Sequence, residues 1–374
     1  MQYIICNFAA PDKAGMKLFT EEDIRRAAHL LAASRNTVAI CHINPDGDAL
    51  GSCLGLTRYL SALGVVCNII VPTPGPHTLD FIFRPGDCPL TAASQQPGEA
   101  AALIGNAGLI VCLDLPSIRR AEGLETAFRS ARCPKMLIDH HQNPARDEFD
   151  LVFSAEKISS TCELLFHILQ ALPDSGINVK DIGDTGKGES FPEPGKDCLD
   201  ALMTGMTTDT NNFANSTYPS TFGMASFCLS RGVDRDSIVS SIQQNYREAR
   251  FRLMGYFLSE KMRISDRGVA YAVLSAGELE RFGIREGETE GFVNIPLGIA
   301  SVKMSIFLRE DAGVFRVSIR SKKGVSASRL AAESFNGGGH EQAAGGRLPI
   351  GEEIPDAAAA ERYIRRVTDT YFGE

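Results

Sequence analysis

The sequence predicts a two-domain protein: a larger α/β domain with a doubly wound, mostly parallel sheet (residues 1–233), a connector helix (234–264) and a smaller α+β domain (265–374). In the larger part, short runs rich in Val, Ile and Leu alternate with helix-like segments, as in a parallel sheet covered on both faces. After residue 265 the runs alternate apolar and polar residues, which is typical of strands with one solvated face. The length of 374 residues and the hydrophobic content of 44% suit two packed domains.

The elements of the larger domain can be assigned from these runs in order. Four segments are predicted as buried strands: TVAICHI (37–43), VVCNIIVP (65–72), GLIVCLDL (108–115) and KMLIDHH (135–141). Between the first two, residues 49–63 carry apolar side chains at near-helical spacing, namely Leu50, Leu54, Tyr59 and Leu63, and predict a helix. Residues 177–197 are rich in Gly, Asp and Pro and predict a long loop inside this domain, because the helix-like DCLDALMTGMTTDT comes directly after.

The remaining elements predict the connector and the smaller domain. Residues 234–263 show a long, charged helical pattern whose broken apolar stripe consists of Ile238, Ile242, Phe251, Met254 and Phe257. The runs GVAYAVL (268–274), SVKMSIFLRE (301–310) and VFRVSIRS (314–321) then predict strands, and a helix and a glycine run follow them. This order predicts an α+β domain.

Composition excludes several classes of protein. A net charge of −8 lacks the basic excess with which proteins hold long nucleic acid, so we expect no long duplex partner and only a short nucleic-acid substrate or a local basic patch. The ten cysteines are scattered singly without a C-x-x-C pair, which favours buried free thiols over a disulfide framework. No apolar run approaches the roughly 20 residues of a membrane span, and no secretion signal is recognisable, so we expect a cytoplasmic protein without membrane contacts.

Polar side chains follow the predicted strands at their C-terminal ends. His42, Asp46 and Asp48 follow the first strand, Asp114 ends the third, and Asp139, His140 and His141 end the fourth; Asp209 lies in the later segment MTTDTNNF. Open α/β sheets bind their ligands at this edge, outside the carboxyl ends of the strands. We therefore expect these side chains to meet in one crevice.

Each of these residues alone has an ordinary structural explanation. Asp48 could be the N-cap of a helix, Asp114 before Pro116 could start a turn, and a buried histidine is more often a hydrogen-bonded core residue than a ligand. Together, however, about five carboxylates in one crevice would repel one another unless cations neutralised them. Carboxylates and imidazoles without thiolates suit Mn²⁺, Mg²⁺, Fe²⁺ or Zn²⁺. Two ions about 3.5–4 Å apart would use all the ligands, an arrangement that activates water for attack on phosphorus.

The motifs resemble those of a known family. HINPDGDALGS, LIVCLDLPSIRR, LIDHHQN and TTDTNNFANS resemble, in order and spacing, the four motifs of the DHH phosphoesterases. FNGGGHEQAAGG resembles the glycine-rich motif of the associated DHHA1 domain. The resemblance covers nearly the whole chain, and the compact layout is similar to the branch of oligoribonucleases (nanoRNases) that also dephosphorylate 3′-phosphoadenosine-5′-phosphate (pAp).

The resemblance implies a role for each residue of the crevice. His42 and Asp46 would hold one metal ion, Asp48, His140 and Asp209 would hold the other, and Asp114 would bridge both. His141 would lie beside the phosphate as a catalytic residue, and Asp139 would orient its neighbours. The two cofactors would be divalent ions, with Mn²⁺ the expected one.

The second domain would then bind the rest of the substrate. The candidates are Arg320, Ser321, Gly337, Gly338, Gly339 and His340, because glycines let a backbone approach a phosphate closely. The alternative is a glycine turn with a capping histidine, but the cations Arg316, Arg320, Lys322, Lys323 and Arg329 nearby favour binding. Two positions depart from the family pattern: Glu341 stands where Lys is frequent, and Leu115 replaces a small polar residue. Neither change removes a metal ligand, so the resemblance implies that the chemistry is retained and leaves the choice of substrate open.

The sequence therefore predicts hydrolysis of a phosphate ester by water activated between two divalent ions. Short oligoribonucleotides, linear dinucleotides and pAp are the expected substrates. A cyclic dinucleotide phosphodiesterase is the nearest alternative, and a non-catalytic nucleotide-binding regulator is the alternative of a different class, which would be expected to lose ligands. Related pyrophosphatases lack the GGGH run. The sequence is compatible with a homodimer.

Overall fold

The computed structural model of the protein describes residues 18–182, 190–244 and 246–373. The chain divides into two compact units, Met1–Asn245 and Tyr246–Glu374. The division falls inside the segment 234–264 that was predicted to connect two domains.

The first unit is built on a parallel sheet. Its strands are β1 Asn36–Ile40, β2 Val66–Val71, β3 Leu90–Ala92, β4 Leu109–Leu113, β5 Lys135–Asp139 and β6 Leu151–Ser154. They lie in the order β3-β2-β1-β4-β5-β6, and every neighbouring pair is parallel. Its helices are α1 Glu21–Ala33, α2 Gly47–Ala62, α3 Pro97–Gly105, α4 Glu125–Ser130, α5 Thr161–Ala171, α6 Val179–Ile182, α7 Lys196–Asp209, α8 Pro219–Ser230 and α9 Arg235–Gln243. The predicted doubly wound parallel sheet is confirmed.

Both faces of this sheet are buried, which explains the continuous apolar runs. On β1, Val38 and Ile40 pack into one core with residues of α3 and α4, whereas Ala39 packs into the other core with α1, α2, α5 and α7. A strand that is covered on both faces has no solvated side on which polar residues would be placed. Polar side chains therefore collect just beyond the strand ends.

The four predicted strands are present, and each is shorter than its apolar run. β1 ends at Ile40 and β4 ends at Leu113, so His42 and Asp114 lie beyond the ladder in the turns after these strands. The edge strands β3 and β6 were not predicted, because runs of three and four residues are too short to show an alternating pattern. α2 begins at Gly47, two residues before the predicted start.

Two predicted segments need correction. The predicted loop 177–197 contains the short helix α6 and the first residues of α7, and its residues 183–189 lie outside the described part of the chain. The predicted connector helix is two helices: α9 is followed by α10, Glu248–Tyr256, with a π-helical turn to Lys261. The physical reason is that the apolar stripe serves two cores, because Ile238 packs into the first unit and Phe257 into the second.

The second unit is a smaller mixed sheet with helices. Its strands are β7 Arg263–Ile264, β8 Val269–Leu274, β9 Met304–Asp311, β10 Val314–Ser321, β11 Gly338–His340 and β12 Ala343–Pro349, in the order β11-β12-β10-β9-β8-β7. β8 and β9 pair in parallel, and the other neighbours pair antiparallel. Besides α10 its helices are α11 Ala276–Arg281, α12 Ala327–Ser334 and α13 Ala357–Tyr371. The predicted α+β domain is confirmed. Among the described residues, no helix combines the length and apolar character that a membrane span requires.

Helices α2, α5 and α7 approach one another unusually closely. A Cβ atom added to Gly205 of α7 would lie 2.9 Å from the carbonyl oxygen of Gly47 and 3.1 Å from Cα of Asp48, and it would overlap Sγ of Cys162. Gly51 of α2 is similarly confined, because its Cβ would lie 2.8 Å from the carbonyl oxygen of Ala201. Because these glycines have no side chains, the helices that carry the candidate site residues can pack directly against each other.

This close approach makes Gly205 intolerant of substitution. We expect Gly205→Ala to lower the free energy of unfolding by about 1–3 kcal/mol, the usual cost of overpacking a core, measured by urea denaturation. The matched control is Gly223→Ala in helix α8, where an added Cβ meets nothing within 4 Å. That variant should be as stable as the parent or up to ~1 kcal/mol more stable, because alanine is the better helix former. Equal stability of the two variants would contradict the proposed steric role.

Candidate metal centre

The turn after β1 presents His42 with a defined orientation. Its Nδ1 lies 2.8 Å from the carbonyl oxygen of Ile43, which can only accept, so Nδ1 carries the donated proton. Nε2 therefore points elsewhere: it lies 3.4 Å from Oδ2 of Asp114 and 3.9 Å from Oδ1 of Asp46. A backbone contact that fixes one ring nitrogen and leaves the other for a ligand is the usual arrangement of metal-binding histidines.

Asp46 has a structural role as well as a candidate ligand role. It is the N-cap of α2, and its Oδ1 accepts hydrogen bonds from the backbone N–H groups of Asp48 (3.0 Å) and Ala49 (3.1 Å). The capping role that the sequence left open for Asp48 therefore belongs to Asp46. Its side chain is 59% exposed, so the carboxylate remains accessible to an ion.

Asp48 is buried and held by the N-terminus of α5. Its Oδ2 accepts a hydrogen bond from the backbone N–H of Thr161 (2.7 Å), and its Oδ1 accepts one from that of Cys162 (2.9 Å). These amides lack partners within their own helix and lie at the positive end of its dipole, so they stabilise a negative charge. Burial and the negative charge of Asp114 nevertheless raise the pKa of Asp48 well above its ordinary value.

Asp114 lies at the centre of the group, in the turn after β4. It has a positive φ of 60° and is buried. Its Oδ2 faces His42, whereas its Oδ1 lies 3.5 Å from Nε2 of His140 and accepts a hydrogen bond from the hydroxyl of Thr161 (3.1 Å). The two oxygens of one carboxylate thus face different sets of candidate ligands, as a bridging role requires.

The end of β5 places an aspartate between the sheet and two histidines. Asp139 is fully buried, and its Oδ1 lies 2.8 Å from Nδ1 of His141 while its Oδ2 accepts from the His141 backbone N–H (3.2 Å). Burial alone would lower the pKa of His141, but the hydrogen bond with Asp139 raises it. Nε2 of His140 lies 3.8 Å from Oδ2 of Asp209. Asp139 thus orients His141, in line with the supporting role expected of it.

Asp209 is the last residue of α7 and precedes a strained turn. Three consecutive residues, Asn211, Asn212 and Phe213, adopt positive φ angles of 47°, 57° and 66°. The ring of Phe213 stacks on Phe222 with centroids 5.5 Å apart, and the Arg235 guanidinium lies 5.6 Å from the Phe213 centroid. Arg235 also donates to Oδ1 of Asn212 (2.6 Å). These contacts hold the turn that ends the helix at Asp209.

The candidate residues form compact groups of ligand atoms. Within each group the atoms lie within 4.8 Å of one another, and the groups are His42, Asp46 and Asp114; Asp48, His140 and Asp209; and Asp114, Asp139 and His141. The structure therefore brings together all eight residues of the first unit that the sequence singled out. The first two groups correspond to the two ligand sets that the family resemblance implies.

The electrostatics of these groups suit divalent cations. Burial alone would lower the pKa of His42, but the hydrogen bond with Asp114 and the charges of Asp46 and Asp114 raise it to about 10. Burial alone would raise the pKa of Asp114, but the hydrogen bond and charge of His42 lower it. Burial, and then the charges of Asp48, Asp46 and Asp114, raise the pKa of Asp209. Buried carboxylates that repel one another, with imidazoles beside them, form a donor set that fits a divalent metal ion.

In the second unit, the predicted substrate-binding residues Arg320 and His340 lie on the two strands that flank β12. Arg320 on β10 and His340 on β11 both pair with Ala343 of β12, so they flank the same point of the sheet. Ser321 is buried, and its hydroxyl donates to the carbonyl oxygen of Val325 (2.6 Å).

Gly338 and Gly339 of the glycine run and His340 lie in strand β11, and not in the turn with a capping histidine that the sequence left as an alternative. A Cβ at Gly337 would overlap the backbone of Gly345, and Gly339 has a φ of 146° and is confined by the backbone of Ala343. These two glycines are needed for close packing against β12. An added Cβ at Gly338 meets nothing within 4 Å, so this glycine is not required by packing.

Sequence reasoning missed Thr161 and Cys162, whose amides bind Asp48. Ser160 caps α5 by accepting from the backbone N–H of Glu163 (3.0 Å), and the pattern S-T-C-E ahead of an apolar run is a recognisable helix start. The pattern could have predicted the helix. It could not have predicted that the first amides of that helix would face a carboxylate more than a hundred residues earlier in the chain.

Comparison with known proteins identifies both units. The profile described as the DHH family, N-terminal domain, matches residues 36–206, and the profile of the DHHA1 domain matches residues 266–365. The chain is 30% identical to the bifunctional oligoribonuclease and PAP phosphatase NrnA of Thermus thermophilus, over 87% of this chain and 89% of that protein. It is 24% identical to the cyclic-di-AMP phosphodiesterase GdpP of Geobacillus thermodenitrificans, over 92% of this chain and 48% of that protein. An exopolyphosphatase-related protein from Bacteroides fragilis is similar in structure, with a TM-score of 0.83, 32% identity and coverage of 96% of this chain and 98% of that one.

The two roles of Asp46 are separable by substitution. Asp46→Asn keeps an oxygen that can cap α2 but removes the charge, so we expect near-parental stability and weaker Mn²⁺ binding by calorimetric titration. Asp46→Ala removes both, and should also lower the free energy of unfolding by about 0.5–2 kcal/mol. The control is Asp356, which caps α13 by accepting from the backbone N–H of Ala359 (2.8 Å). Asp356→Ala should lower the free energy of unfolding and leave the Mn²⁺ affinity unchanged. Unchanged Mn²⁺ affinity in Asp46→Asn would rule out Asp46 as a ligand.

Proposed function

The chain belongs to the DHH family and is a metal-dependent phosphoesterase, and on that premise we propose that its substrates are short oligoribonucleotides, linear dinucleotides and pAp. The observation that carries this proposal is the pair of ligand groups that Asp114 joins. The alignment with the bifunctional oligoribonuclease and PAP phosphatase over 87% of this chain supports it. A non-catalytic regulator is disfavoured because every candidate ligand is present and oriented.

Within this proposal, each ligand group would hold one divalent ion. His42 and Asp46 would hold the first ion, Asp48, His140 and Asp209 would hold the second, and Asp114, which lies beside both groups, would contribute to both. Two such cations, with Mn²⁺ the proposed metal, would lower the pKa of water and neutralise charge on the phosphate. The residues themselves supply the orientation: the backbone of Ile43 aims His42, and the amides of α5 aim Asp48.

His141 is the proposed catalytic group among the remaining side chains. It lies 3.7 Å from Oδ1 of Asp114, and its side chain is 24% exposed, so it can reach a bound phosphate from the ligand groups. Asp139 raises its pKa, which increases the fraction of imidazolium at neutral pH. We assign it the donation of a hydrogen bond to the phosphate, a charge-assisted contact that strengthens as negative charge develops.

The proposed substrate contacts of the second unit are Arg320, Ser321 and the segment Gly337–His340. Arg320 is half-buried, and its guanidinium lies near backbone carbonyl oxygens of Ile319 (3.0 Å) and Ala344 (3.4 Å), which hold it in place. Gly338, which packing does not require, gives the backbone of β11 an open approach to a ligand. Ser321 uses its hydroxyl internally, so its proposed contribution is restricted to its backbone or to the support of Arg320.

Cyclic dinucleotides are the second candidate substrate. The observation in favour is that relatives named as cyclic-di-AMP phosphodiesterases align with 92% of this chain. The chain spans only about half the length of those proteins, whereas it spans 89% of the oligoribonuclease and phosphatase relative. The identity of 30% with the oligoribonuclease and phosphatase relative, against 24% with the cyclic-di-AMP phosphodiesterase relative, favours the linear substrates.

A panel of substrates with Mn²⁺ tests the proposal directly. We expect faster turnover of pAp and of two- to five-nucleotide RNA than of long single strands at the same ionic strength, because a chain of net charge −8 lacks an extended basic track. Chelation of the metal should abolish all of these reactions. Preference for cyclic dinucleotides would favour the second candidate, and equal processing of long strands or hydrolysis of pyrophosphate alone would overturn the proposal.

The contribution of Arg320 can be separated from the chemistry at the ligand groups. We expect Arg320→Ala to reduce kcat/KM on pAp and dinucleotides about 10- to 1000-fold, the range for loss of a charged contact that orients a substrate. The slow hydrolysis of bis-p-nitrophenyl phosphate, which lacks a nucleoside, should differ much less between Arg320→Ala and the parent protein. Arg366→Ala on α13 is a suitable control and should change neither reaction, because Arg366 pairs with Glu353 (3.5 Å) and is not among the cations proposed to favour binding. Equal losses on both substrates would contradict a role in nucleotide recognition.

A further inference from the structure

We propose that Thr161 is a positioning residue that orients Asp114 between the two ligand groups, and that it thereby sets the affinity of the second divalent ion. The inference rests on the proposed two-ion function and deepens it. Its basis is the N-terminus of α5, which contacts the carboxylate of Asp48 at the start of α2 and that of Asp114 in the turn after β4.

Thr161 contacts both carboxylates with different atoms. Its backbone N–H donates to Oδ2 of Asp48 (2.7 Å), whereas its hydroxyl donates to Oδ1 of Asp114 (3.1 Å). Thr161 is completely buried, so no solvent replaces the hydroxyl if it is removed. When the donor of a hydrogen bond to a buried carboxylate is removed, the carboxylate oxygen stays buried without that partner. The free-energy cost is then the full desolvation penalty of the oxygen. The hydroxyl is therefore a strong constraint on the rotation of the Asp114 carboxylate.

The constraint acts on one oxygen in particular. Oδ1 of Asp114 is the oxygen that lies 3.5 Å from Nε2 of His140, on the side of the group formed by Asp48, His140 and Asp209. Oδ2 lies 3.4 Å from Nε2 of His42, on the side of the other group. Without the hydroxyl, Oδ1 loses its hydrogen bond, whereas the 3.4 Å approach of Nε2 of His42 to Oδ2 involves no atom of Thr161. Loss of the hydroxyl should therefore weaken the binding of the second ion, at Asp48, His140 and Asp209, more than the binding of the first ion at His42.

The start of α5 is itself anchored, which makes it a rigid support. Glu163 is fully buried, and its Oε2 accepts from the Ser159 backbone N–H (3.0 Å) and from the Thr221 hydroxyl of α8 (2.8 Å). Burial alone would raise the pKa of Glu163, but hydrogen bonds from neighbouring side chains lower it, so the group stays ionised. A helix start held by these bonds cannot easily follow a carboxylate that rotates. The orientation of Asp114 is set by the helix, and not the reverse.

The test is a titration of metal-free protein with Mn²⁺, monitored by calorimetry and by electron paramagnetic resonance of the coupled ion pair. The variants are Thr161→Val, which removes the hydroxyl at nearly constant shape, and Thr161→Ser, which keeps it. We expect Thr161→Val to bind the first ion with parental affinity and the second about 10- to 100-fold more weakly, the usual effect of losing a group that supports a metal ligand. The coupled signal should appear only at correspondingly higher Mn²⁺. Thr161→Ser, which keeps the hydroxyl, should bind both ions with parental affinity.

The matched control is Thr204→Val. Thr204 is also a buried helical threonine, but its hydroxyl donates to the carbonyl oxygen of Asp200 (2.7 Å) and contacts no ligand group. It should retain parental affinity for both ions. Parental binding of both ions by Thr161→Val, equal losses in Thr161→Val and Thr204→Val, or failure of Thr161→Ser to restore the second ion would each overturn the inference. Binding of fewer than two ions by the parent protein would instead overturn the two-ion function on which it rests.

Discussion

Mutual repulsion between buried carboxylates is the constraint that shapes the first unit. Asp48 and Asp114 are both almost completely buried, and Asp209 lies beside His140. Such groups lose hydration and repel one another, so the fold must hold them in place by other means. It does so with fixed backbone dipoles at Asp48, with imidazoles around Asp114 and with glycines that bring α7 against α2. A divalent cation, bound as proposed, would relieve the remaining imbalance.

Much of this arrangement could be predicted, because the residues just beyond the carboxyl ends of parallel strands lie along one edge of the sheet. Once 37–43, 108–115 and 135–141 were identified as strands, topology alone brought His42, Asp114 and His140 together. The pairing of residues into ligand sets depended on the family resemblance, since spacing along the chain does not determine which side chains meet in space. The structure brings together the two predicted sets.

The features that could not be predicted depend on contacts between distant segments. The hydrogen bonds from Thr161 and Cys162 to Asp48 cross 113 and 114 residues of sequence. The break between α9 and α10 was missed because one apolar stripe serves two cores, and a periodic pattern does not reveal which core each residue enters. In the second unit the glycine run looked like a turn or a phosphate-binding loop, but close packing against β12 accounts for two of its three glycines. Local patterns thus predicted the elements, while tertiary packing determined their limits.

The left-handed turn after Asp209 has a consequence for how this chain can vary. Each left-handed residue other than glycine costs roughly 1–2 kcal/mol, although the cost is smaller for asparagine than for phenylalanine. Phe213 is held in that conformation by its stack with Phe222 and by Arg235, which also binds Asn212. Residues that share partners in this way do not contribute additively to stability. Positions 213, 222 and 235 should therefore covary among relatives, with an aromatic pair and its arginine gained or lost together.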